Sequence, residues 1–498
     1  MLKAAHICDA GGIVCRRGNY TRMVAAGKTT GEGWSSRSAF ILAAVGAAVG
    51  LGNIWRFPTL AGESGGGAFV IFYIACVFLL GLPLVLSEIF IGRVGQTDAV
   101  GSIRKVAQGS QASAKWSIFG GIGAVAAFLI VSFYSVVAGW VLYYGGVMGW
   151  DLLQAIGSGD LFRGALAGES EAQIQQRLGD MFASWPLLLV MHLGFMGLTL
   201  YIVARGVSSG IEKAATYLMP AFFVLLIGLV LYGAVEGDIG EAASFLFTPD
   251  WSKLTPEVMN SALGQALFSL SLGVAGLITY GSYIKEKSNL GGTAAMIAIA
   301  DTCVALLAGL MIFPIVFAVG LDPAAGPTLV FQTLPFAFQT MPGGALFGFL
   351  FFLLILVAAV TSSISLLEVP TAWGIGELGW SRPKSALVFG IGAFLIGIFC
   401  LLGYNVLSDV RPLGFWSLFA ETDILDTIDA FTGKIMLPLG ALLTSLFIGW
   451  KADKNLLRTT TGLSPIAFGL WRFLIAWLCP IAVTIILVTG LFPSILGA

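Results

Sequence analysis

Residues 46–58 read GAAVGLGNIWRFP, a run of glycines and small residues set inside a long apolar segment. Lipid offers no partner to a backbone N–H or C=O, so a helix that crosses a membrane keeps these groups bonded within itself. Gly46, Gly50 and Gly52, followed by Asn53 and Pro58, weaken that bonding in mid-membrane. A break of this kind is tolerated where the freed backbone is buried in protein or lines a cavity. A second apolar segment, FSLSLGVAGLITYGSY (268–283), is interrupted in the same way about 220 residues later. Two interrupted helices in corresponding halves of one chain point to a binding site at the midplane of a bundle built from two repeats.

Composition agrees with a membrane protein. Of 498 residues, 57% are hydrophobic and 11% charged, against about 25% charged in an ordinary soluble domain. A crossing helix needs about 20 mainly apolar residues. Eleven stretches qualify, numbered here as spans 1 to 11: 37–60, 66–92, 116–149, 184–204, 212–235, 259–284, 291–320, 343–372, 384–405, 425–450 and 467–494. With the N-terminus in the cytoplasm, 19 of the 26 lysines and arginines fall in cytoplasmic segments, four in external loops (Arg163, Arg177, Lys253, Arg411) and three inside spans (Arg56, Lys434, Arg472). The positive-inside rule selects this orientation over its inverse, and the odd span count then puts the C-terminus outside.

Residues 1–33, polar and glycine-containing, are expected to form a disordered cytoplasmic tail. The external stretches 151–183 and 236–258 are acidic and expected to be partly helical. Residues 322–342 hold four prolines with Phe331, Phe336 and Phe338, and are expected to dip towards the cavity as a lid. The six cysteines lie in spans or in the tail, with no external pair, so no disulfide framework is expected. Only two histidines exist, His6 and His192, and no metal cluster or nucleophile–base pair is visible, so an enzyme is not expected. His192, inside span 4, reads as a packed, hydrogen-bonded residue. Gly27-Lys28-Thr29 lacks the first glycine and the preceding strand of a phosphate loop. No nucleic-acid partner is expected.

Asp301 lies in the middle of span 7. A carboxylate there costs roughly 2.5–3.5 kcal/mol on insertion scales and is a functional candidate by default. The bland alternative is an ion pair with Lys434, Arg472 or Arg56.

Several long motifs now carry a resemblance: WSSRSAFILAAVGAAVGLGNIWRFPTLAGESGGGAF (34–69), GLPLVLSEIFIGR (81–93), RGVSSGIEKAATYLMP (205–220), GQALFSLSLGVAGLITYGSY (264–283), DTCVALLAGLMIF (301–313) and VTSSISLLE (360–368). In this order they resemble the neurotransmitter:sodium symporter family, over roughly residues 34–450, and the eleven-span plan is similar to its prokaryotic branch. The resemblance implies an all-α polytopic membrane protein with the LeuT-type fold. Its 5+5 inverted repeat would comprise residues 34–235 and 236–450, with helices 1 and 6 broken, followed by a cytoplasmic loop and helix 11 (451–498). It implies a prokaryotic inner (plasma) membrane, and Na⁺-coupled uptake of a small amine-bearing solute by alternating access.

By the same resemblance two Na⁺ ions are co-transported. The first site would use the carbonyl of Ala48, the side chain of Asn53, Ser269, Asp301 and the substrate carboxylate. The second would use carbonyls of Gly46, Val49 and Ala358 with the hydroxyls of Thr361 and Ser362. For those two hydroxyls the alternative is a bond back to the preceding helical turn. Chloride-dependent relatives carry asparagine at the position of Asp301 and serine four residues on. This chain has Asp301 and Ala305, which implies that the carboxylate replaces chloride.

Monoamine members carry an aspartate where this chain has Gly50. The substrate is therefore expected to bring its own carboxylate, as an α-amino acid does. The carboxylate would meet sodium, backbone N–H groups near Leu51 and Gly52, and the Tyr134 hydroxyl. The ammonium would meet carbonyls near Ala48, Phe268 and Ser269, with the Ser271 hydroxyl. The side-chain pocket would be Ala47, Ile130, Phe268, Val274, Ser362 and Leu366, which suits a hydrophobic or aromatic L-amino acid. Ala275, where relatives often have glycine, is expected to limit the unwinding of span 6.

The external gate would be Arg56 with Asp429, closing over Phe268 and Tyr134. At the inner end Trp34, Ser282 and Tyr283 match family positions. The family's arginine and aspartate fall on Gly31 and Gly376, and Lys28 or Arg37 with Glu377 is the expected substitute. Glu88 and Glu368 are expected to hold the unwound segments by hydrogen bonds. The competing function is an amino-acid sensor that binds without significant transport. Sensors usually gain a large signalling tail, and this sequence ends shortly after span 11.

Overall fold

Helices begin where the sequence supplies a cap. In the computed structural model, which describes residues 33–284, 289–324, 326–492 and 495, Ser36 accepts from the amide of Ala39 at the head of helix Arg37–Ala48. Thr255 caps Pro256–Ser269 through the amide of Val258, and Ser464 caps Pro465–Phe473 through that of Ala467. A hydroxyl that accepts from an unpaired amide, followed by a proline with no amide of its own, is a strong helix start. The expected tail, with Lys28 and Gly31, lies outside the described residues.

Among the described residues, nine uninterrupted helices are long and apolar enough to cross a membrane: 67–95, 114–158, 185–204, 207–236, 290–318, 344–376, 382–402, 424–451 and 465–491. A tenth crossing consists of Arg37–Ala48 and Gly52–Glu63, bent by 50° at the break. Span 6 is not one helix. It is divided into Pro256–Ser269 and Gly276–Ser282, each too short to cross alone. Among the described residues, nine of the expected spans are thus unbroken helices long enough to cross and a tenth is the bent pair, while span 6 is interrupted; the two interruptions fall at 46–58 and 268–283. Span 3 runs on to Ser158 as a 41-residue helix, well past the expected end at 149. The stretches 151–183 and 236–258 contain helices Glu171–Ala183 and Ile239–Phe247.

Burial ranks the spans. In the most apolar window of 114–158, 78% of residues are buried, against 33% in 185–204 and in 207–236. Span 3 therefore sits at the centre, packed along span 8, and spans 4 and 5 sit at the rim. The exposed side chains of Val190, Leu193, Val224 and Leu231 face outward from that rim, as lipid contact requires. Residues 322–342 carry a short helix, Thr333–Thr340. Phe331 and Phe338 are buried, and Phe331 packs against Trp55, Trp140, Tyr144 and Phe352.

Candidate functional site

At the first break the helix ends on Ala48, Val49 turns extended (ψ 112°), and a wider π turn starts at Gly52. The freed backbone groups find side chains instead of lipid, as they must. The amide of Gly50 donates to Asn53 Oδ1 (3.0 Å) and that of Leu51 to the Tyr134 hydroxyl (3.4 Å). The carbonyl of Ala47 accepts from Ser271 Oγ (3.3 Å), that of Val49 from Ser362 Oγ (3.1 Å), and that of Gly52 from Gln265 Nε2 (2.7 Å). A Cβ at residue 50 would stand 2.4 Å from Ser362 Oγ and 3.2 Å from the Tyr134 hydroxyl, so any larger residue there requires the serine hydroxyl to move.

The second break is fully unwound. Ser271 (φ 51°), Gly273 (φ 85°) and Ala275 (φ 59°) all adopt left-handed conformations. Ala275 does not limit the unwinding, contrary to expectation; it joins it. Two non-glycine residues in that region cost energy and persist only where the surroundings fix them. Part of that fixing is Glu88, which accepts the amide of Gly273 (2.9 Å), as expected. Glu368 acts elsewhere. It accepts the Tyr283 hydroxyl and both Nη atoms of Arg382 (2.7 and 2.9 Å), so it ties the Tyr283 end of span 6 to spans 8 and 9.

The two breaks bring the first predicted cation set together. Asn53 Nδ2 lies 2.7 Å from Asp301 Oδ1, 3.2 Å from the Asp301 carbonyl and 2.9 Å from Ser269 Oγ. Ser269 Oγ donates to Asp301 Oδ2 (2.7 Å), and the Tyr73 hydroxyl stands 3.5 Å from that oxygen. Asp301 is fully buried. Its partners are an amide and two hydroxyls, and among the described residues it forms no ion pair. Two of the three side chains named as alternatives are engaged elsewhere: Arg472 donates to the carbonyls of Ile448 and Gly449, and Arg56 lies over the Phe268 ring. A buried carboxylate with no positive side chain beside it among the described residues suits a hard cation, but Asn53 turns Nδ2 to Asp301 and gives Oδ1, the oxygen expected to meet the ion, to the amide of Gly50.

Residues of the second predicted set also converge. Thr361 Oγ1 donates to the carbonyls of Ala358 (3.0 Å) and Val357 (3.3 Å), the backward bonding named as the alternative. Ser362 Oγ bonds across to Val49, and a Cβ on Gly46 would stand 3.2 Å from Thr361 Cβ. Ala47, Ile130, Val274 and Leu366 are all buried.

A cavity of about 470 Å³ opens on the Arg56 side of the breaks. Leu51, Gly52, Tyr134 and Phe268 form its floor, with Trp55, Arg56, Trp140, Phe331, Asp426 and Asp429 among its walls. It lies above the predicted side-chain pocket, since Ala47, Ile130, Val274, Ser362 and Leu366 do not line it. Arg56 caps the floor with its guanidinium 4.3 Å from the Phe268 ring centre, a cation–π contact. Arg56 and Asp429 line the cavity together without a direct salt bridge. Sequence reading missed Phe133, Val137 and Trp140. Their spacing of four and three from one another marks a single face of span 3.

The opposite end is sealed. Trp34 donates from Nε1 to the Tyr280 carbonyl (2.9 Å) and from its amide to the Tyr283 carbonyl (3.3 Å), and its ring meets Tyr283 edge-on. The expected Arg37–Glu377 pair does not form. Arg104 takes both oxygens of Glu377 (3.0 and 2.9 Å), and Arg37 donates to Thr293. Arg104 succeeds because helix Ala99–Gly109 lies beside the end of span 8: Asp98, its cap, stands 2.2 Å from where a Cβ on Gly376 would be. His192 packs as expected, stacked on Phe394 with Nε2 3.1 Å from the Phe394 carbonyl.

Glu368 and Arg382 have side chains 0% and 9% exposed. Removing one partner of a buried pair leaves an uncompensated charge, at a cost of about 3–5 kcal/mol. Arg382→Gln is therefore expected to lower the thermal midpoint in detergent sharply, and Glu368→Gln added to it to restore most of the loss. A differential scanning measurement of the two variants checks this.

Comparison with known proteins now places the chain. The family model of the sodium:neurotransmitter symporter family matches residues 31–148 and 170–493. An uncharacterized sodium-dependent transporter, YhdH of Bacillus subtilis, is 39% identical over 91% of this chain and 96% of its own length. A sodium-dependent nutrient amino acid transporter of Drosophila grimshawi is 28% identical over 85% of this chain and 70% of its own. The crystal structure of MhsT in complex with L-phenylalanine superposes with a TM-score of 0.81 at 41% identity, over 92% of this chain and 99% of that one. The chain belongs to the sodium:neurotransmitter symporter family, as a sodium-dependent integral membrane transporter of LeuT-type fold rather than an enzyme.

Proposed function

We propose that the protein imports a hydrophobic or aromatic L-amino acid together with two Na⁺ ions, by alternating access and without chloride. The observation that carries this reading is Gly50, which brings no side chain to the break and would place a Cβ 2.4 Å from Ser362 Oγ and 3.2 Å from the Tyr134 hydroxyl. With no protein carboxylate at residue 50, the substrate supplies one. Tyr134 and the amides near Leu51 and Gly52 receive it, a reading supported by the contact of the Leu51 amide with the Tyr134 hydroxyl, and Asn53, Ser269 and Asp301 hold the first ion beside it. MhsT, which binds L-phenylalanine in its crystal, supports the substrate class.

The cycle follows from which end is closed. The cavity at the Arg56 end admits substrate and ions from outside. Phe268 and Tyr134 close over the amino acid, and Arg56 with Asp429 close above them. Binding joins spans 1, 6, 7 and 8 around the ions. The Trp34–Tyr283–Glu368–Arg382 network then parts, and the contents leave to the cytoplasm. Residues 34–235 and 236–450 act as the two repeats that rock against each other.

The test is uptake of a labelled amino-acid panel into proteoliposomes under an inward Na⁺ gradient, with gluconate in place of Cl⁻. Accumulation of an apolar or aromatic amino acid that vanishes in K⁺ is expected. Na⁺-dependent binding without accumulation would establish the sensor instead. In the same assay Ser362→Ala removes one proposed ligand of the second ion. Loss of a buried polar partner costs about 1–3 kcal/mol, so half-saturating Na⁺ is expected to rise roughly 10-fold or more. An unchanged Na⁺ dependence would remove Ser362 from the site.

A further inference from the structure

A second cavity of about 470 Å³ lies on the rim of the bundle, between spans 4, 5 and 8 at the Trp34 end. Its walls are Leu198, Ile202, Leu218, Leu353, Leu356 and Val360. Its mouth is different in kind. Arg205 and Lys213 line it, flanked by Tyr201 and Tyr217, which are 56% and 76% exposed.

The two cations are available. Among the described residues neither Arg205 nor Lys213 meets a carboxylate at ion-pair distance. Arg205 lies over the Tyr201 ring, 4.2 Å from its centre. Glu212, next to Lys213 in the chain, is engaged by the amide and hydroxyl of Ser35. Arg382, which also reaches towards span 4 at the Val203 carbonyl, is held by Glu368.

We propose that this groove binds one anionic glycerophospholipid, with its phosphate between Arg205 and Lys213 and an acyl chain along the apolar wall of spans 4, 5 and 8. The chemistry selects this occupant over others. An apolar slot open to the bilayer on its long side takes an acyl chain, and two unpaired cations at one end take a phosphate that bears net negative charge. Tyrosines at that level mark the headgroup boundary. A zwitterionic lipid carries its own cation beside the phosphate and gains less from the pair. The acyl chain would lie against Val357 and Val360, which bracket Ala358 and precede Thr361 in span 8, so an occupied groove stiffens the wall behind the second proposed ion.

The test uses the full-length protein purified in detergent and titrated with phosphatidylglycerol or phosphatidylcholine, with retained lipid counted by native mass spectrometry. One phosphatidylglycerol is expected to be retained in preference to phosphatidylcholine. Arg205→Gln and Lys213→Gln, read separately and together, are expected to weaken retention by about 5-fold per cation, and Leu353→Trp, which fills the slot, to abolish it. Reading the cation variants singly keeps the result interpretable if one of them folds poorly. Equal retention of the two lipids, retention unchanged by the cation variants, or retention that survives Leu353→Trp would each overturn the proposal.

Discussion

Asp301→Ala is expected to reduce Na⁺-driven uptake at least roughly 100-fold, equivalent to about 2.7 kcal/mol. The carboxylate is fully buried, with Asn53, Ser269 and Tyr73 as its partners among the described residues, and it supplies a full negative charge at the proposed first ion. In a low-dielectric interior such a charge is worth several times its value in water. Asparagine alone keeps the shape and loses the charge. The double variant Asp301→Asn/Ala305→Ser supplies the pair that chloride-dependent relatives carry, and is expected to regain part of the uptake in chloride and none in gluconate. Initial rates in the two anions measure this. Equal rates in both would show that the carboxylate is not what makes chloride dispensable.

The parts of the molecule that were legible in the sequence are those under the harshest physical constraint. A backbone cannot be left unpaired in lipid, so glycine-rich interruptions at 46–58 and 268–283 announced both breaks. Asp301 was legible for the same reason: a lone carboxylate in an apolar span has little other use. What escaped was decided by packing between distant segments. Ala275 in a left-handed conformation contradicts a local preference, and neighbours such as Glu88, which takes the Gly273 amide, override it. The inner ion pairs went astray because Arg104 sits on a short helix whose docking beside span 8 no local pattern specifies. The aromatic cavity above Phe268 draws on spans 1, 3, 6 and 10 and on residues near Phe331, Phe182 and Tyr404, so no single motif reports it.

Gly50→Ala is expected to cut uptake roughly 100-fold while the protein stays folded. A methyl at residue 50 would stand 2.4 Å from Ser362 Oγ and 3.3 Å from Ser362 Cβ, so the serine hydroxyl must turn away. Turning it breaks its bond to the Val49 carbonyl and withdraws a proposed ligand of the second ion. The same methyl would stand 3.2 Å from the Tyr134 hydroxyl, which accepts the Leu51 amide and is the proposed donor to the substrate carboxylate. One carbon thus disturbs both proposed sites, whereas the thermal midpoint, set by the packing of eleven other helical segments, is expected to move by only a few degrees, at about 2–4 °C per kcal/mol for a large domain. Gly50→Asp separates steric from chemical causes. A carboxylate at this position would repel the carboxylate of an amino acid in a dry site, so uptake of every amino acid is expected to vanish. If Gly50→Asp instead takes up an amino acid as well as the unmodified protein does, the substrate carboxylate does not lie beside residue 50, and the substrate class must be reopened.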